Sequence, residues 1–137
     1  MDKEAAEALG RRAVACNGWR WLPGMLATNG AMMIGQQVGS EELIFADPAD
    51  EGAAPHWVWP SHLRDWCPNL TDPATLGCLL ALVREAWGRH SVITMPGFGR
   101  WGIGFLVDGG IQSLGVSGLT EAEALVAALE AAPQERA

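Results

Sequence analysis

The sequence predicts an α+β fold, with helices packed on one face of antiparallel strands, on three observations. Residues 71–88 and 120–133 carry helical end signals around apolar stripes. Short apolar runs elsewhere are punctuated by Asn-Gly, Pro-Gly and Gly-Gly turns. The resulting order is α-β-β-β-(β)-α-β-β-β-α: one antiparallel sheet, or two abutting three-stranded meanders, covered by helices.

Residues 2–16 read as an amphipathic helix. Ala5, Leu9, Ala13 and Cys16 share a face, Lys3, Glu4, Glu7, Arg11 and Arg12 are polar, and Asn17-Gly18 is a stop. Trp19 and Trp21 alternate around Arg20. Residues 25–28 form a strand that meets the hairpin signal Asn29-Gly30, and 31–38 return. Gly39-Ser40 turns the chain into a third strand over 43–45. Residues 46–56 are a loop by composition, and 56–59 a short edge strand limited by Pro60. The stretch 61–70 has room for one helical turn.

The helix over 71–88 announces both ends. Asp72 is the N-cap, Pro73 stands at the first helical position and Gly88 stops the helix. Leu76, Leu79, Leu80, Val83 and Trp87 make its stripe. Strands follow at 91–95, 101–107 and 111–116. Thr120 and Glu123 then fit a capping box, and Leu125, Val126 and Leu129 supply the buried face of the last helix. Residues 134–137 read as a frayed tail.

The chain has 137 residues, which fits a single domain over 1–137 that buries roughly 70% of its unfolded surface without metal or disulfide. Apolar residues make up 49% and charged ones 18%, which argues against disorder. No apolar run reaches the ~20 residues of a membrane span, and the first residues lack the apolar segment of a secretory signal, so a cytoplasmic protein is expected. Cys16, Cys67 and Cys78 are odd in number and widely spaced, and read as buried thiols.

Candidate chemistry is thin. His56, His62 and Cys67 match no zinc spacing, so neither a metal nor a cofactor is expected. The glycines of 97–104 run from strand to strand and not into a helix, which excludes a phosphate loop. No nucleophile–base or paired-acid arrangement can be proposed, and an enzyme is not expected. Seven tryptophans and no tyrosine are more informative. Trp87 and Trp101 read as core. The pairs Trp19/Trp21 and Trp57/Trp59, each on one face if extended, are either interior plugs or an aromatic platform.

Charge adds a docking reading for the second pair, beside the plainer one of an ordinary solvated loop. The net charge is −7, which argues against a large nucleic-acid footprint. Residues 22–62 hold no Lys or Arg but carry Glu41, Glu42, Asp47, Asp50 and Glu51. Those five acids with Trp57 and Trp59 form a candidate docking face for a basic partner, charge hastening encounter and the rings holding the complex.

The motifs TDPATLGCLLALVREAWG (71–88), TEAEALVAALEAAP (120–133) and WRWLPGM (19–25) resemble a family of small, uncharacterised bacteriophage and prophage proteins. The resemblance covers both ends of the chain, leaves 30–60 divergent and brings no functional residues with it. It implies a phage-encoded accessory protein in the cytoplasm of a bacterial host. With the acidic face, the expectation is a non-enzymatic protein that binds a host protein. It would be an anti-CRISPR-like inhibitor of a bacterial defence system that blocks a basic nucleic-acid-binding surface. Two alternatives stand beside it: a nucleic-acid-binding module using Trp19, Trp21, Arg20 and Arg100, and a homo-oligomeric structural phage protein whose tryptophans pair across subunits. The helix–three strands–helix order of the second half also resembles double-stranded-RNA-binding domains. That family begins its final helix with a basic cluster, and Glu121 and Glu123 here imply that RNA binding is absent.

Overall fold

The computed structural model describes residues 2–50 and 52–133. The elements are α1 (Lys3–Val14), β1 (Met32–Gln36), β2 (Leu43–Ala46), β3 (His56–Val58), a 3-10 turn (Pro60–Leu63), α2 (Pro73–Trp87), β4 (Val92–Pro96), β5 (Trp101–Val107), β6 (Gly110–Gly118) and α3 (Glu121–Ala131). The fold is α+β, with three helices and two antiparallel three-stranded sheets, β1-β2-β3 and β4-β5-β6. The chain falls into two compact units: Met1–Arg11 with Trp21–Cys78, and Arg12–Arg20 with Leu79–Ala137. The tail expected at 134–137 lies outside the described residues.

In the first unit, α1 starts on Asp2, whose Oδ1 accepts the Ala5 amide at 2.7 Å. The sheet pairs Met33 with Phe45, and Phe45 with His56. Ile34 is an extra residue between Met33 and Gly35, a bulge that leaves its side chain exposed. Phe45 is fully buried, its ring meeting those of Trp21 at 5.6 Å and Trp66 at 4.9 Å, both edge-on. Edge-to-face contact sets the positive rim of one ring against the negative face of the other, worth about 0.5–1.5 kcal/mol per pair beyond area burial.

The strand expected at 25–28 reduces to two single bridges, Leu26 with Met32 and Ala27 with Pro68. Gly24 (φ +99°) and Gly30 (φ +92°) bend the backbone at either end, and Pro68 has no N–H with which to extend a ladder. The third strand of the sheet is β3, which pairs with β2 and stands at the edge as expected. The chain does turn at Asn29-Gly30, but as a three-residue loop, 28–30, with Ala27 N–H on Ala31 O at 2.8 Å and Gly30 N–H on Ala27 O at 3.0 Å.

The start of α2 ties this unit together. Asp72 Oδ2 accepts both the Thr75 amide, at 2.9 Å, and the Thr75 hydroxyl, at 2.8 Å. Thr75 is fully buried, and its Oγ1 in turn accepts the Leu26 amide at 2.9 Å. The buried face of α2 runs through Thr75, Leu79, Leu82 and Val83, while Leu76 and Leu80 are only half-buried. The stripe read from leucine spacing is thus rotated: a threonine bonded to the capping Asp72, not a leucine, opens the buried face.

In the second unit, α3 packs across β4, β5 and β6. Buried Val92, Ile103 and Phe105 of the sheet and Ala122, Leu125, Val126 and Leu129 of the helix fill the layer between them. Thr120 caps α3 by accepting the Glu123 amide at 3.1 Å. Glu123 reaches back one residue further than a capping box requires, to the Leu119 amide at 3.0 Å. Trp87 Nε1–H donates to Ala128 O at 2.8 Å, and the Arg89 guanidinium lies 4.1 Å over the Phe105 ring. Gly97 and Gly99 build the β4–β5 turn, which Gly97 N–H closes on Arg100 O at 2.7 Å.

Two substitutions test this packing. A Cβ on Gly118 would stand 2.6 Å from both Ala124 N and Glu123 Cβ, so Gly118→Ala must push β6 off the start of α3. The expected loss is about 1–3 kcal/mol of stability by urea denaturation. Thr75→Val keeps the volume but strips the Leu26 amide of its acceptor, and the same measurement should show a loss of about 1–3 kcal/mol.

Candidate functional site

The candidate site lies on the β1-β2-β3 sheet of the first unit. Trp57 is opposite Ile44 on the face away from Phe45, and the next residues carry the chain through Trp59 into the 3-10 turn. Trp57 is 50% exposed and Trp59 46%, so neither ring of this pair plugs the interior. The Trp57 ring is nevertheless fixed: its Nε1–H donates to Gln37 Oε1 at 2.7 Å, tying β3 to the end of β1 across β2. Trp59 overhangs a shallow depression formed by the β1–β2 turn, residues 36–41. Inside that turn Gln36 Nε2–H donates to Ser40 O at 3.1 Å, and Gln37 N–H to Glu42 O at 2.9 Å.

The four described acids of the five divide into three groups. Glu41 is exposed and lines the depression with Trp59. Glu42 is half-buried, its Oε1 accepting from the Ser40 hydroxyl at 3.4 Å while its own amide donates to Ser40 Oγ. Asp47 and Asp50 sit in the β2–β3 loop, each accepting a backbone amide two residues on, Ala49 and Gly52. These bonds give both loop aspartates a turn-forming task. Glu51 lies outside the described residues. The structure therefore places Glu41 and Trp59 at one depression, with Trp57 bonded to Gln37 of its lining, and puts Asp47 and Asp50 in the loop at the opposite end of β2.

The other tryptophan pair divides. Trp21 is buried against Phe45 and Trp19 is half-buried, so they do not form an exposed platform. The reason is that 19–21 is not a strand, so alternation does not govern which way the rings point. The cations expected beside them are engaged: Arg20 in an ion pair with Glu85, and Arg100 with Ser117 Oγ at 3.0 Å. Cys67 is buried as expected, but Cys16 and Cys78 are only half-buried. Burial pushes both thiols up, with Glu130 adding at Cys16 and Asp72 at Cys78, which keeps them protonated and poorly nucleophilic at neutral pH. Among the described residues, no group of three or more His, Cys, Asp or Glu side chains could hold a metal ion. Nor is any helix among them long and apolar enough to cross a membrane.

The second unit has its own cleft of about 490 Å³, where the last turns of α2 and α3 meet residues 12–18. Arg12 closes one side by a two-bond pair with Glu130, Nε to Oε2 at 3.1 Å and Nη2 to Oε1 at 2.6 Å. Each carboxylate here sits near a helix C-terminus, which favours a cation. The pairing with Arg12 holds the Glu130 carboxyl below its ordinary range. Both partners are about half exposed, so the pair serves as a local clasp and not as a major source of stability.

Sequence spacing found Trp57, Trp59 and Glu41 but not Gln36 and Gln37. Glutamines flanking a turn carry no pattern, and only the Gly39-Ser40 turn signal marks the place. Comparison with protein-family models, with curated proteins and with solved structures found no match.

The Arg12–Glu130 clasp has a pH signature. Because the folded carboxyl titrates below its unfolded value, its contribution is present above the ordinary glutamate value of about 4.3 and is lost as pH falls through the depressed one. Glu130→Gln should therefore be less stable than the parent near neutral pH, and the gap should narrow as pH falls below the ordinary glutamate value of about 4.3, as read by urea midpoints across that range.

Proposed function

We propose that this chain is a non-enzymatic docking protein that covers a basic surface of a partner protein with its β1-β2-β3 face. The observation that carries this reading is the exposure of Trp57 and Trp59 together, beside Glu41, in a stretch of sequence without a cation. A half-exposed indole costs solubility when the protein is alone and offers a large, rigid contact area when it is bound. Tryptophans at the centre of an interface account for most of its affinity, while acids around them accelerate encounter with a positive surface.

The phage-protein resemblance of 19–25, 71–88 and 120–133 supplies the setting. In that setting the partner is a nucleic-acid-handling effector of the host defence, and the protein inhibits it by occupying its nucleic-acid channel, as an anti-CRISPR protein does. The work is then done in the cytoplasm of the bacterial host. Occlusion needs no catalytic group, no cofactor and no direct nucleic-acid contact by this chain. The nucleic-acid-binding alternative is weaker, because Trp21 is core and Arg20 is paired.

The test is affinity capture from bacterial lysate with the retained proteins identified, using the parent, Trp57→Ala/Trp59→Ala and Glu41→Lys/Glu42→Lys/Asp50→Lys. The expected result is a basic, nucleic-acid-binding protein held by the parent and lost from both variants. Retention of the same proteins by all three forms would count against this reading.

A further inference from the structure

The depression beside Trp59 has a more specific chemistry than a negative patch. Its lining brings Trp59, the one indole, and Glu41, the one acid, together with Gln36 and Gln37. Gln36 spends its Nε2–H on Ser40 O, which leaves its Oε1 as an acceptor. Gln37 Oε1 already takes the Trp57 indole N–H and has a second lone pair. The ion pairs of the described residues are Arg11–Glu7, Arg12–Glu130 and Arg20–Glu85, so Glu41, in the lining of the depression, belongs to none of them. The depression thus sets a carboxylate-bearing residue and carboxamide acceptors beside an indole, and lies in 41 consecutive residues, 22–62, that contain no Lys or Arg.

We infer that this depression receives an arginine side chain of the partner, its guanidinium stacked on Trp59 and paired with Glu41. This rests on the docking reading above and names the chemistry of its centre. A guanidinium is planar, carries five donors in a fork and is weakly hydrated, so it can lie flat on an indole while its edge bonds a carboxylate and amide oxygens. A lysine ammonium is a compact, strongly hydrated point charge and satisfies the carboxylate without using the ring's flat surface. The molecule itself contains the same kind of stacking, with Arg89 over Phe105. Trp57 acts as a positioning residue: its bond to Gln37 holds the β1–β2 turn, and with it the acceptors, against β3.

The experiment titrates the purified protein with short glycine-spaced peptides carrying arginine, lysine or citrulline, following the indole N–H and glutamine side-chain signals by ¹H–¹⁵N NMR. The expected result is that the arginine peptide moves the Trp59 and Gln36 signals and binds about three- to five-fold more tightly than the lysine peptide. The citrulline peptide, planar but neutral, should bind weakly. Glu41→Gln and Trp59→Leu should each reduce arginine binding toward the lysine level, with the remaining spectrum unchanged, which verifies that the variants are folded. Equal binding of the arginine and lysine peptides at this site, or citrulline binding as well as arginine, overturns the guanidinium site and leaves the docking face standing. If no peptide moves a signal of the β1-β2-β3 sheet, both fall.

Discussion

One buried hydroxyl sets the register of the first unit. Thr75 Oγ1 donates to Asp72 and accepts from Leu26, so a single atom joins the first turn of α2 to the segment lying alongside β1. That segment is held on both sides: Gly24 N–H and Met25 O bond Met33, while Leu26 O and Thr28 N–H bond Asn69 and Cys67. Side chains in extended chain alternate between faces, so a slip of one residue would turn Met33 outward and break its pairing with the buried Phe45. The position of β3, and hence of both exposed indoles, follows from that register through β2.

Much of this fold was legible where local chemistry decides it. Asp72, Pro73 and Gly88 mark helix ends because an orphan amide, a missing N–H and a left-handed φ are properties of single residues, and Gly88 indeed has φ +65°. Thr120 and Glu123 cap α3 for the same reason. What local chemistry does not decide was misplaced. The segment 25–28 has the composition of a strand, yet its neighbour is Pro68, far along the chain, which cannot continue a ladder. The face of α2 was assigned from its leucines, whereas Thr75 is buried because its hydroxyl has partners on both sides.

The tryptophans follow the same division. Spacing of i,i+2 puts two rings on one face only if the backbone is extended, which holds for Trp57 in β3 and fails for Trp19 and Trp21. Exposure then depends on what the fold lays over each ring. Phe45 takes up the buried Trp21 and the half-buried Trp66 edge-on, while Trp57 and Trp59 stay about half exposed. The charge count of 22–62 was visible in the sequence, but the division of labour among its acids was not. Asp47 and Asp50 accept amides of their own loop, and Glu41 is the one that shares a depression with an indole.

The two units are interleaved along the chain, and this fixes an order of completion during translation. Once residue 78 has emerged, every residue of the first unit exists. The second unit has residues 12–20 early but lacks its sheet and α3 until the last third of the chain is made. Nascent chains organise as soon as a cooperative set of contacts is available. The face bearing Trp57 and Trp59 can thus take shape while α3, the cover of β4, β5 and β6, is still being synthesised.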